Sequence, residues 1–95
     1  MLVKTRIETK LQEAFSPIFL SVEDESYLHM THGNFFPGGE SHFKVKIVAP
    51  AFKGLNRIER HQKIYECLEG ELNDGVHALC LQVLCPEEVA SIALV

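Results

Sequence analysis

Between Ser41 and Val83 the spacing of apolar residues changes twice, and that change limits the fold more than any other feature of the chain. Phe43, Val45 and Ile47 alternate with His42, Lys44 and Lys46 over residues 41–49, the period of a strand with one buried face. Pro50 stops that run, and Phe52-Lys53-Gly54 reads as a turn. A helical stretch follows from about Asn56 to Leu72, with Ile58, His61, Ile64, Tyr65, Leu68 and Leu72 in one arc. Asn56 followed three residues later by Glu59 has the spacing of a capping box. Asn73-Asp74-Gly75 ends the helix, with Gly75 suited to a left-handed cap. Leu79, Leu81 and Val83 then alternate as a further strand. Strand, helix, strand makes a βαβ unit, whose crossover is right-handed and whose strands run parallel when they share a sheet.

The flanking segments extend this unit. Val3, Ile7, Leu11, Ala14 and Phe15 lie on one helical face over residues 2–15, and Ser16-Pro17 ends that helix. Ile18, Leu20 and Val22 alternate as a strand closed by Asp24-Glu25-Ser26. Residues 27–40 form a long loop broken by Gly33, Asn34, Pro37, Gly38 and Gly39. Loops of this length between hairpin strands are uncommon and more often functional than ornamental. The first two strands are expected to pair antiparallel across it. Pro86 stands where a short terminal helix begins. The expected architecture is α/β in the α+β sense, αββαβ(α), in one domain over residues 1–95: a three-stranded mixed sheet with both long helices on one face.

Composition narrows the function. The net charge of −4, with histidines neutral, gives no general attraction to polyphosphate, so nucleic-acid binding needs a local basic patch. Lys53, Arg57, Arg60 and Lys63 around the second helix are the candidates, interrupted by Glu59 and Glu66. No run approaches the roughly 18 apolar residues of a membrane span. The charged N-terminal turn is neither a signal peptide nor a transit peptide, so no membrane association is expected and the cytoplasm is the expected compartment. Cys67, Cys80 and Cys85 include no C-x-x-C pair, which argues against a disulfide framework or zinc knuckle. None of them has an activating local sequence, and no nucleophile–base set or phosphate-cradling loop is present. No catalytic residue is assigned, and an enzyme is not expected.

The histidines are the informative residues. His61 falls within the apolar arc and reads as a structural residue with a hydrogen-bonded ring. His42 reads as a solvated or partly packed strand residue. His77 stands at the start of the third strand, where side chains reach the rim of the sheet, and His29 and His32 occupy the long loop. Imidazole on a loop with imidazole at a strand end can ligate a borderline metal or iron, although the spacing by itself is no motif and solvated surface histidines are the better explanation of it.

These segments together resemble the BolA family. The stretches that carry the resemblance are Asp24-Glu25-Ser26-Tyr27, Gly39-Glu40-Ser41-His42-Phe43-Lys44-Val45, Phe52-Lys53-Gly54, Arg60-His61, Glu71-Leu72 and Val76-His77-Ala78-Leu79, in family order from residue 2 to about 84. The resemblance implies a class II KH-like fold, although no G-x-x-G nucleotide clamp is present. It implies a monothiol glutaredoxin partner and a bridging [2Fe-2S] cluster, ligated on one side by the glutaredoxin cysteine and glutathione. No cofactor is then expected in the isolated chain. The other side would use His77 and a loop residue. Alignment from Ser26-Tyr27 gives His29, the preferred choice, and alignment back from Glu40-Ser41-His42 gives His32. The family also includes bacterial DNA-binding regulators of morphology and stress response, the alternative function, and a weak homodimer is compatible with either. The loop here is longer than is usual in the family. Cys85 and Val89 stand near the positions of its usual terminal threonine and tryptophan.

Overall fold

The computed structural model describes residues 2–25 and 42–93, with side chains described as far as Val89. The loop over residues 27–40, with His29 and His32, therefore lies outside the described residues. Among the described residues the elements run α1 (Val3–Phe15), β1 (Phe19–Asp24), β2 (His42–Val48), α2 (Arg57–Cys67), α3 (Glu69–Asn73), β3 (Ala78–Leu84) and α4 (Pro86–Ala93), with a 3-10 turn at Pro50–Phe52 before α2. The sheet order is β1-β2-β3. β1 and β2 are antiparallel, with Leu20 opposite Ile47 and Val22 opposite Val45. β2 and β3 are parallel, with Phe43 opposite Leu79 and Ile47 opposite Val83.

Period-two alternation explains the core. Phe43, Val45 and Ile47 on β2, Val22 on β1 and Val83 on β3 are buried. Ile7 and Leu11 of α1 and Ile64 of α2 pack with them, as does Leu68 just beyond α2. Phe52, set by the 3-10 turn, is fully buried, and its ring lies 4.9 Å from that of Phe15. Burying each such side chain contributes about 1.5–3 kcal/mol relative to leaving it exposed. Ala14, expected on the apolar face of α1, is exposed.

The caps behave as the residues dictate. Asn56 Oδ1 accepts from the Glu59 N–H at 2.8 Å, and Glu59 Oε1 accepts from the Asn56 N–H at 3.0 Å, which completes the capping box. Gly75 has φ +124°, the positive value that favours glycine after α3. Pro86 opens α4, where the Cys85 N–H donates to Glu88 Oε1 at 2.8 Å.

Two expectations for the second helix need correction. The helix breaks at Leu68, so α2 and the short α3 replace one continuous element. Its buried face is also turned towards Arg60, Ile64, Cys67, Leu68 and Glu71. Ile58 is 70% exposed, Tyr65 is 41% exposed and His61 is only half-buried. Hydropathy misplaces the arc because two charged residues lie on the buried side. Arg60 and Glu71 can occupy it because each is paired there.

Candidate functional site

One rim of the sheet carries the site. His42 opens β2, and His77 immediately precedes β3. The parallel register sets His42 opposite Ala78, one residue beyond His77. The two imidazoles stack there, with ring centroids 6.0 Å apart and planes 10° from parallel.

Local structure fixes the approach to His77. The Val76 N–H donates to the Glu71 carbonyl at 3.1 Å, and the Val76 side chain is buried in the core. His77 comes next and is exposed. A pinned residue behind it and a strand ahead of it limit where its backbone can go. On the neighbouring strand the Glu25 N–H donates to the His42 carbonyl at 2.7 Å. This bond joins the chain on either side of residues 26–41 at the same rim. The described structure thus brings His42 and His77 together, a pairing that the sequence reading missed. The signal was available in the βαβ topology, because parallel strands starting at His42 and Ala78 bring their N-terminal residues to one end.

The proposed basic edge is less coherent. Arg60 is 11% exposed and is held internally: its Nε donates to the Leu55 carbonyl at 2.9 Å, and its Nη1 donates to the Val83 carbonyl at 3.0 Å and to Glu88. Its place in an exposed nucleic-acid edge is corrected accordingly. Arg57 and Lys63 are exposed, and Lys53 Nζ lies 4.0 Å from Glu87.

The cysteines divide by environment. Cys67 is half-buried, and its thiol donates to the Lys10 carbonyl at 3.7 Å. Desolvation raises its pKa, against the charge of Lys10. Cys85 is buried, and Cys80 is exposed on the sheet face away from the helices. Among the described residues no group of three His, Cys, Asp or Glu side chains is arranged to hold a metal ion.

Glu71 was noted in the sequence only as part of a resembling stretch, yet it is the buried charge among the described residues. Its side chain is 1% exposed. Lys10 Nζ donates to Oε1 at 2.7 Å, and Arg6 Nη2 lies 2.8 Å from Oε2. Burial by itself would raise this carboxyl. The Lys10 hydrogen bond, a backbone hydrogen bond and the two cationic charges outweigh that and hold it below the usual range. Arg6 and Lys10 are four residues apart on α1, so both reach the same point.

An αββαβ domain with a mixed three-stranded sheet and an exposed histidine just before its last strand defines the class. The BolA-like protein family matches over residues 11–88, and the chain belongs to this family. It is 48% identical over 88 residues to a Haemophilus influenzae protein described as DNA-binding transcriptional regulator BolA, covering 93% of this chain and 82% of that one. An Escherichia coli protein of the same description is 47% identical, with coverages of 93% and 80%. The solved BolA domain of SufE1 from Arabidopsis thaliana superposes with a TM-score of 0.81 at 41% identity, covering 90% of this chain and 93% of that domain.

Proposed function

We propose that this chain is a non-enzymatic adaptor that binds a monothiol glutaredoxin and co-ligates a [2Fe-2S] cluster with it, as cargo in iron–sulfur trafficking or as a signal in iron sensing. His77 would be one ligand and His29 or His32 the other, opposite the glutaredoxin cysteine and glutathione. The observation that carries this reading is the exposed His77 at the rim where the chain enters and leaves residues 26–41. His29 lies four residues beyond Glu25, a tether of at most about 14 Å. Neutral imidazole nitrogen is a suitable donor for iron, and mixed nitrogen and sulfur ligation raises a cluster's potential. His77 would bind with little ordering cost, whereas a loop ligand pays conformational entropy. Co-purification with a monothiol glutaredoxin, glutathione and iron tests the reading. A visible absorption spectrum that differs from that of the glutaredoxin alone is expected. Failure to form any complex, with both proteins folded, would exclude it.

A second reading is DNA-binding regulation, favoured by the descriptions of the two bacterial relatives. Its weakness is the internal engagement of Arg60 and the pairing of Lys53 with Glu87. A sequence-selective complex at physiological salt, lost on replacing Arg57, would support it.

A further inference from the structure

We propose that the outer edge of β3 and the neighbouring flank of α2 form a cleft that accepts an extended, acidic segment of a partner protein as a fourth strand. The inference needs neither the cluster nor the histidine rim. β3 stands at one edge of the sheet. The Ala49 N–H, just beyond β2, donates to the Leu84 carbonyl at 3.0 Å, so the backbone of Leu84 faces inward across the sheet. Backbone groups alternate in direction along a strand. Cys80 and Gln82 therefore also face β2, while Leu79, Leu81 and Val83 turn their N–H and C=O groups outward. The Arg60 guanidinium reaches the Val83 carbonyl from that outer side at 3.0 Å. Among the described residues no strand pairs with this edge.

Proteins usually blunt a sheet edge with charge or proline. β1, at the other edge, ends in Glu23-Asp24, whereas β3 runs Ala78-Leu79-Cys80-Leu81-Gln82-Val83-Leu84 with neither. Beside β3 lies a cleft of about 470 Å3, walled by Leu81 and Val83 on the strand and by Arg57, Arg60 and His61 of α2. Ile58 and Tyr65 share the His61 flank by helical spacing and are 70% and 41% exposed. They are the part of the apolar arc that the core leaves out. One added strand covers both the edge and this flank, a mode in which main-chain hydrogen bonds give affinity and side-chain contacts give specificity. Arg57 is exposed and unpaired among the described residues, while Glu88 in the cleft is already neutralised by Arg60, so acidic side chains suit the occupant. A second copy fits less well. α2 packs over β3, and joining two β3 edges at the strand spacing of about 4.8 Å would crowd two helices that need about 8–10 Å.

The test is titration of the isolated chain with a capped nonapeptide of alternating valine and glutamate, read by calorimetry and by amide hydrogen exchange. At saturation, exchange at Leu79 and Leu81 should slow about tenfold, the scale of one hydrogen bond, with Cys80 and Gln82 unchanged because they are already bonded to β2. N-methylation of one alternate set of peptide amides should abolish binding, and of the other set leave it intact, because only one set faces β3. Arg57→Gln should weaken binding up to about fivefold, the range of an exposed ion pair. Tyr65→Ala should also weaken it while melting as the parent does, and Lys63→Ala, outside the cleft, should change nothing. Absence of binding at millimolar peptide, equal effects of the two N-methylated sets, or protection confined to other strands would overturn the proposal. So would a poly-thymidine oligonucleotide that protects Leu79 and Leu81 where the peptide does not. His77→Ala should bind the peptide as the parent does, so this proposal and the cluster reading fail separately.

Discussion

Arg60 carries its charge inside the fold, and its partners say what removing it does. Two backbone carbonyls and the Glu88 carboxylate accept from one guanidinium, so the residue ties the approach to α2, β3 and α4 together. Arg60→Ala should destabilise the domain by about 2 kcal/mol, the scale of hydrogen bonds to a charged group. That corresponds to a fall in melting temperature of about 10 °C for a domain of this size. Lys63→Ala, on the exposed side, should melt within error of the parent. His61 gives the opposite lesson. Its position among Ile58, Ile64 and Tyr65 suggested a core residue, but Ile58 and Tyr65 are themselves exposed. His61→Ala should therefore change stability by no more than about 0.5 kcal/mol in a thermal or urea melt.

At the scale of elements, carboxylates link helices to one another and to the sheet. Glu71 of α3 receives Arg6 and Lys10 of α1, and Glu88 of α4 receives Arg60 of α2 and the Cys85 N–H. The Cys85 N–H, then the Arg60 hydrogen bond and the Cys85 side chain, bring the Glu88 carboxyl down to about 2. A carboxyl whose folded pKa is depressed binds fewer protons folded than unfolded, so stability rises with pH through that window. These contributions should be complete above about 4.3, the ordinary glutamate value, and lost as pH falls towards about 2 for Glu88. Urea unfolding at a series of pH values checks this, and Glu88→Gln should flatten the acid slope. Glu71→Ala should cost about 2 kcal/mol at neutral pH. This is less than for a fully enclosed pair, because Arg6 and Lys10 can still reach water.

The elements were legible wherever local chemistry decides them. Alternation found the strands, Asn56 with Glu59 found the start of α2, and Gly75 and Pro86 found the turn after α3 and the start of α4. The buried face of α2 was not legible, because Arg60 and Glu71 read as solvent-facing until their partners from distant segments are known. For the same reason His77 could be singled out at a strand end, while its neighbour His42 could not. Their proximity depends on strand register, which lies between segments and not within either one.

Across the whole molecule the two ends of the open sheet face differ in chemistry. One end carries the histidine rim. The other carries Ile18, Phe19, Val48, Leu84 and Val89, an apolar patch with Lys46 at its side. Neither is a basic groove. Any attraction of Lys53, Arg57 and Lys63 for DNA should show a log–log salt slope no steeper than about −2.7, from three phosphate contacts at most. Fluorescence anisotropy with duplexes of unrelated sequence checks it. Arg57→Ala should reduce the slope by about one phosphate's worth, and Arg60→Ala, assayed below its melting point, should leave it unchanged.

Sharing of a cluster through His77 is the central claim, and titration of holo-glutaredoxin with the chain tests it most directly. The visible circular dichroism and the paramagnetic resonance of the reduced cluster should change to a heteromeric form with the parent chain. His77→Ala should leave only the spectra of the glutaredoxin's own cluster, and His29→Ala should weaken or alter the heteromeric signal. A His77→Ala spectrum identical to that of the parent heterodimer would contradict the account and return His77 to an ordinary exposed histidine.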